Sequence, residues 1–134
     1  MIEFRLDARS GVTTYLQLVQ QVRHAIRLGR LQPGDQLPTI REVVRKIGIN
    51  PNTVLKAYRD LEREGLVTSR PGQGTFVLKS LRGGTPDPKL NRQLERWIAD
   101  ARASGLDDES IKGLLSVTLH ETRVDDQQES VDTA

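Results

Sequence analysis

The chain has 134 residues, 36% of them hydrophobic and 28% charged, which suits one ordinary domain or a small domain with an appendage. It contains no cysteine, which excludes disulfides and thiolate metal sites. No apolar run approaches the ~20 residues that a membrane-spanning helix needs. The start also lacks the basic and apolar regions of a signal peptide, so we expect a cytoplasmic protein without a membrane partner.

The net charge of +2 hides an uneven distribution along the chain. Residues 1–82 hold 14 Lys and Arg against 7 Asp and Glu, whereas residues 83–134 hold 6 against 11. This division indicates one part that binds a polyanion and another that stays away from it. A chance difference between two small domains would give the same distribution, so charge alone leaves both interpretations open.

Apolar spacing and helix-start residues mark the first two helices. Apolar residues recur three and four positions apart over Thr14–Leu28, and Gly29 then favours the left-handed turn that ends a helix. After a turn we expect a very short strand at Leu37. Thr39 opens the second helix and forms a capping box with Glu42.

The third helix, at about 50–64, has the clearest start in the chain. Asn50 is a good helix cap, and Pro51 occupies the first helical position, where its missing N–H costs nothing. Its apolar residues fall on one side of a helical wheel and predict a core face. The opposite side is polar and cationic: Asn52, Lys56, Arg59 and Arg63.

Two β-prone segments, 66–68 and 75–78, follow the third helix and flank a Pro-Gly-Gln-Gly turn. They predict a hairpin wing over residues 70–79. The predicted fold class is therefore mainly α (α+β): an N-terminal winged helix-turn-helix with a two-stranded wing over residues 1–80. A linker at 81–88 joins it to a C-terminal two-helix appendage at 89–122.

A winged helix of this kind is typical of a protein that binds double-stranded DNA, because a helix fits the major groove, which is about 12 Å wide. Asn and Lys can read base edges, Thr and Arg can contact phosphates, and glycines allow close backbone approach. The candidate DNA-binding residues are Arg41, Asn50, Asn52, Thr53, Lys56, Arg59, Arg70, Gly72, Gln73 and Gly74. Each also has a purely structural interpretation: the cations as a solvated face, Asn50 as a cap, and the glycines as turn formers.

Between Tyr15 and Val77 the chain resembles the winged-helix domain of GntR-type bacterial transcription regulators. The resemblance implies that Arg41 and the start of the third helix contact DNA, and that the wing enters the minor groove. Many GntR members have arginines where this chain has Pro51 and Leu55. Without these arginines, the bases would have to be read by the polar residues at the start of the third helix. The motifs are Tyr15-x-Gln17, Gly29-x-Leu31-x-Pro33-Gly34-Asp35, Leu37-Pro38-Thr39-x-Arg41-Glu42, Asn50-Pro51-Asn52-Thr53-Val54, Ala57-Tyr58, Leu61-Glu62, Glu64-Gly65-Leu66 and Gly72-x-Gly74-Thr75-Phe76-Val77.

The C-terminal part is too small to bury a core by itself, so its two apolar stripes need a partner. They either pack on the winged helix or pair with a second copy of the chain, and resemblance to the short YtrA-like branch implies a homodimer. From 123 to 134 the chain is polar and acidic, which predicts disorder. The candidate dimer-interface residues are Leu90, Leu94, Trp97, Ile98, Ala101, Ile111, Leu114, Leu115 and Leu119.

The sequence therefore predicts a homodimeric regulator, most simply a repressor, that binds a palindromic operator. A winged-helix protein-interaction module is the alternative. An enzyme fragment is a further alternative, since such regulators also occur fused to an aminotransferase-like domain that uses pyridoxal phosphate. We expect no cofactor and no metal site, because His24 and His120 lie far apart in sequence. About forty residues are too few for a separate effector domain, and no motif identifies a small-molecule effector.

Overall fold

The computed structural model describes residues 2–81 and 87–132, with side chains described as far as Arg123. These residues form five helices and one two-stranded antiparallel sheet, which confirms the predicted fold class. The chain divides into two compact units, Met1–Pro86 and Asp87–Ala134. The elements are α1 Thr14–Arg27, α2 Ile40–Ile47, α3 Pro51–Arg63, β1 Val67–Arg70, β2 Gly74–Val77, α4 Pro88–Ala103 and α5 Asp108–Asp132.

Two glutamines of α1 fasten the segment that precedes this helix. The buried Gln17 side chain accepts a hydrogen bond from the Asp7 N–H (2.8 Å) and donates to the Asp7 and Val12 carbonyls (3.0 and 2.9 Å). One turn later, Gln21 accepts from the Arg5 N–H and donates to the Arg5 carbonyl. The buried amide is thereby satisfied, as buried polar groups usually are. The N-terminal segment, for which the sequence predicts no element, thus runs alongside α1.

The core of the first unit lies between α1 and α3. Leu18 and Val22 of α1 and Val54 and Leu61 of α3 are all completely buried. Tyr58 is also buried, and its hydroxyl donates to the Pro38 carbonyl at 2.6 Å. Burial raises the pKa of this hydroxyl, so it stays neutral and keeps its proton for the hydrogen bond. The predicted apolar face of the third helix is confirmed, and it fixes the opposite face toward solvent.

The start of α2 is capped by Thr39, as predicted. The Thr39 Oγ1 accepts from the Glu42 N–H at 3.1 Å. In the predicted capping box the Glu42 carboxylate would accept from the Thr39 N–H in return. In the structure it accepts from the Thr39 hydroxyl instead, also at 3.1 Å. At the other end Gly48 has a φ of +66°, a left-handed conformation that glycine adopts without strain. The chain can therefore turn sharply into α3.

The wing is a short antiparallel hairpin. β1 and β2 pair from Val67 opposite Val77 to Arg70 opposite Gly74, with a turn at 71–73. The segment before α2 continues this sheet through hydrogen bonds of 2.8 Å, including one from the Leu37 N–H to the Thr75 carbonyl. The short strand predicted at Leu37 is found one residue earlier, as a bridge between Gln36 and Phe76.

In the second unit, α4 and α5 form a helical hairpin. The Asp87 carboxylate accepts from the Lys89 N–H at 2.9 Å and caps α4. Asp107 accepts from the Ser110 N–H at 2.8 Å before α5, and these bonds to Ser110 lower the pKa of the Asp107 carboxyl. Within the predicted linker at 81–88, residues 82–86 lie outside the described residues, and Pro88 is the first residue of α4.

The last helix of the second unit extends into the predicted tail. In the structure α5 runs to Asp132, and the disorder expected over 123–134 stays a prediction. The chain has no glycine or proline after Gly113, so no residue in this stretch ends the helix. Residues 133 and 134 of the predicted tail lie outside the described residues.

Candidate nucleic-acid interface

The solvent face of α3 carries the polar residues that the sequence singled out. Asn52, Lys56 and Arg59 are exposed, and Thr53 is half-buried beside them. They lie opposite the buried face, so packing of the core determines which way they point. The result is a row of one amide and two cations along the first three turns of the helix.

Lys56 is held in place by an aromatic ring of another helix. Its Nζ lies 3.9 Å from the centre of the Tyr15 ring, a cation–π contact. The two residues line one open cleft together with the residues at the start of α1 and α3. Helix N-termini carry partial positive charge and free N–H groups, so a cation and two such termini converge here. The cleft is lined by Thr13, Thr14, Tyr15, Asn50, Asn52, Thr53 and Lys56.

Asn50 acts as the cap of α3. Its side-chain oxygen accepts from the Asn52 N–H at 2.8 Å, which is the structural role that the sequence left open. The capping bond uses one of the two lone pairs of this oxygen and holds the amide in place, so Asn50 combines the structural role with an exposed NH₂ group that can donate to a ligand.

The acidic residues at and just after the C-terminal end of α3 all have partners in the first unit. Glu64 forms an ion pair with Arg23 of α1, and this bond raises the pKa of the Arg23 guanidinium. Glu62 accepts from the N–H and hydroxyl of Ser69 (3.3 and 3.4 Å). On the cationic face, Arg63 pairs with Asp60 at 3.8 Å, whereas Lys56 rests on Tyr15. The first part of the helix is thus the more strongly positive part.

The start of α2 lies beside the wing turn. Thr39, the cap of α2, lines a cleft together with residues 69–75. Arg41 is exposed in the first turn of α2. The structure thus brings the start of α2 close to the wing turn and leaves Arg41 exposed to solvent in the first turn of that helix.

Within the wing, Arg70 lies over Phe76, with its guanidinium carbon 4.7 Å from the ring centre. Gln73 is exposed at the turn, and its N–H donates to the Arg70 carbonyl at 2.9 Å. Gly72 has a φ of +73° and open space around it, so turn geometry alone favours glycine there. Gly74 has a φ of +126° and a close neighbour, the Gln36 side chain.

Two residues of this surface, Tyr15 and Gln36, are absent from the predicted site. Tyr15 occurs in the sequence only as part of a family motif, and its contact with Lys56 joins residues 41 positions apart. Gln36 donates to a main-chain carbonyl 37 positions away. Every residue type has a main-chain carbonyl, so the identity of residue 73 does not indicate that Gln36 contacts it.

Neither a metal site nor a membrane span is found in the part of the chain that the structure describes. No group of three His, Asp or Glu residues in 2–81 and 87–132 is arranged to hold a metal ion. Over the same residues, no helix is both long and apolar enough to cross a bilayer.

Comparison with known proteins places this site in a family. Residues 14–77, from α1 to the end of β2, match the family described as bacterial regulatory proteins, gntR family. The chain is 36% identical over 110 residues to the HTH-type transcriptional repressor YtrA of Bacillus subtilis, which covers 80% of this chain and 85% of that protein. The chain belongs to the GntR family. Family membership confirms the predicted DNA-binding transcription regulator of the YtrA-like branch, as opposed to an enzyme.

Solved structures extend the GntR likeness to the helices after the wing. A transcriptional antiterminator from Listeria monocytogenes is 32% identical, with a TM-score of 0.57, and the match covers 87% of this chain and 90% of that one. YtrA from Sulfolobus acidocaldarius, a GntR-family transcription factor, is 31% identical with a TM-score of 0.51, covering 89% and 98%. These matches include more than the winged helix, so the C-terminal helical part belongs to the shared architecture.

Proposed function

We propose that this GntR regulator is a repressor that binds a palindromic operator as a homodimer, with α3 in the major groove and the wing at the minor groove. The observation that carries the proposal is the exposed row of Asn52, Lys56 and Arg59 beside the start of α2 and the wing turn. Repression is inferred from the similarity to the repressor YtrA. Binding to genomic DNA would place the protein on the nucleoid in the cytoplasm.

In this proposal the first turns of α3 read the bases. Asn52 can pair with adenine, and Lys56 can donate to guanine or to a phosphate. Thr53 is half-buried and suits a phosphate or a thymine methyl group. Pro51 and Leu55, where relatives have arginines, cannot donate, so fewer positions of the operator should be read directly.

Phosphate contacts fix the register of the protein on the duplex. Arg41 is exposed in the first turn of α2 and has the reach to contact the backbone at the rim of the groove. Arg59 extends the cationic row further along α3. Arg70 lies at the end of β1, next to the exposed Gln73, where a wing can reach the adjoining minor groove, while Gly72 and Gly74 let the backbone come close.

The homodimer is supported by the apolar side chains that α4 and α5 leave exposed. Leu90 is 60% exposed and Leu119 73%, so both leave apolar side-chain surface in contact with water that a second copy could bury. Leu94, Trp97 and Leu114 are also exposed, and Ile98 and Leu115 are half-buried. Ala101 and Ile111 are already buried within the single chain, so we assign them to holding the hairpin together.

Trp97→Ala tests the dimer, because large aromatic residues often anchor interfaces. Arg92, exposed on the opposite side of α4, provides the control Arg92→Ala. Sedimentation equilibrium should show a dimer for the native chain and for Arg92→Ala, and a weakened dimer for Trp97→Ala. A monomeric native chain would overturn this part of the proposal.

Capture of sheared genomic DNA tests operator binding. The native protein should enrich a small set of fragments that contain an inverted repeat, and Arg41→Ala should enrich them less. Arg30→Ala is the matched control. Arg30 is an exposed cation that follows the C-terminal end of α1, whereas the start of α3 lies near the N-terminal end of α1. If no fragment is enriched over the input, the chain is better described as a protein-interaction module.

A further inference from the structure

We infer that Gln36 is a positioning residue that fixes the wing turn relative to the helix-turn-helix. Gln36 precedes α2, and neither a motif nor the predicted site gives it a role. Its side-chain NH₂ donates to the Gln73 carbonyl at 3.2 Å. This inference rests on the proposed DNA binding, because it concerns how the wing is presented to the minor groove.

Main-chain pairing brings Gln36 to the wing. Val77 donates to the Asp35 carbonyl and Leu37 donates to the Thr75 carbonyl, each at 2.8 Å. These bonds make residues 34–37 a short third strand beside β2, with Gln36 directly opposite Phe76. In a sheet, side chains of directly opposed residues lie on the same face, so Gln36 shares a face with Phe76 and with the guanidinium that covers its ring.

The glycine at position 74 makes room for the Gln36 amide. A Cβ built on Gly74 would lie only 2.6 Å from the Gln36 Nε2, closer than real Cβ contacts come. The φ of +126° at Gly74 is also one that residues with side chains rarely adopt. The backbone angle therefore favours glycine at position 74, and the absence of a Cβ there leaves the space that the Gln36 amide occupies; a side chain at 74 would displace this amide.

The consequence is a direct link from the entry of α2 to the wing turn. Gln36 lies three residues before the Thr39 cap, and Gln73 is the last residue of the turn. With this bond in place, the turn keeps a fixed position relative to α2. Without it, the turn is held only through the hairpin, and the wing contacts have to be ordered when DNA binds. That ordering costs affinity.

The test replaces Gln36 by methionine, which has similar length and no charge and cannot donate. Gln20→Met, at an exposed glutamine of α1, is the matched control. One hydrogen bond makes a net contribution that corresponds to a roughly three- to tenfold change in affinity. We expect Gln36→Met to bind the fragments enriched by the native protein about that much more weakly. Hydroxyl-radical protection should decrease where the wing lies and stay unchanged where α3 lies.

A double-mutant cycle with Arg70→Ala separates positioning from general destabilisation. If Gln36 acts through the wing contacts, Gln36→Met should weaken binding much less in the Arg70→Ala background than in the native chain. Native affinity and footprint for Gln36→Met, or full additivity with Arg70→Ala, would overturn the inference alone. Failure of the native protein itself to bind any fragment would overturn the proposed function, and this role with it.

Discussion

Lys56→Met removes one positive charge from the proposed DNA surface and leaves the core unchanged. Lys56 is exposed and contacts the Tyr15 ring, and an unbranched methionine side chain can still cover that ring. An exposed cation–π contact contributes about 0.5–1 kcal/mol. The free energy of unfolding should therefore fall by at most about 1 kcal/mol.

Operator affinity should respond much more strongly, and its salt dependence tells which contact is lost. Each phosphate contact contributes about 0.9 to the slope of log K against log salt concentration. A dimer carries Lys56 twice, so loss of a phosphate contact should reduce the slope by roughly 1.8. Loss of a base contact should instead remove about 1–3 kcal/mol of discrimination at one base pair of each half-site.

Fluorescence anisotropy with the enriched operator, from low to moderate salt, measures both quantities. Arg30→Met is the control, because α1 has 14 residues and spans about 21 Å between its Lys56-facing start and the end near Arg30. The control should keep native affinity and slope. The reasoning is refuted if Lys56→Met also keeps them, or if both variants lose affinity equally.

Four further changes test other parts of the account. Arg41→Ala should weaken operator binding at low salt with an unchanged melting temperature, measured by anisotropy and calorimetry. Leu61→Ala empties a fully buried position and should cost about 2–5 kcal/mol of unfolding free energy in denaturant titration. Asp107 has a lowered pKa, so it should be protonated and lose its cap on α5 only as the pH falls below the ordinary Asp range, with a loss of helicity in circular dichroism. Asp107→Asn, which can cap without titrating, should keep the helicity constant over the same pH range. Deletion of 87–134 should give a folded monomer with much weaker operator binding, seen by sedimentation and anisotropy.

The helix-turn-helix could be predicted because local chemistry determines its ends. Thr39 caps α2, Gly48 takes the left-handed turn, and Asn50 caps α3, all from residues within four positions of their partners. The apolar face of α3 follows from periodicity alone. The orientation of the candidate DNA-binding row could therefore be derived from the sequence before any packing was known.

The contacts that could not be predicted join residues far apart in the chain. Tyr15 supports Lys56, Gln36 reaches the Gln73 carbonyl, and the Tyr58 hydroxyl reaches the Pro38 carbonyl. Two of these three partners are main-chain groups, which every residue type provides. Such pairs depend on the packing of α1, α3 and the wing, so they have no pattern in local spacing.

The length of α5 could not be predicted for a different reason. Composition predicts whether a segment can form a core, but helix propagation depends on the absence of a stop signal. The exposed apolar residues on α4 and α5 likewise indicate that a partner is needed, and their periodicity does not say which one.

Footprinting on the operator is the most direct test of the central claim that α3 binds the major groove in two symmetric copies. Methylation interference at guanine N7 should mark two major-groove patches whose centres are about 34–36 Å apart, or a multiple of that spacing. Hydroxyl-radical protection should extend into the minor groove beside each patch. A single unpaired patch, or protection without any major-groove interference, would contradict the account.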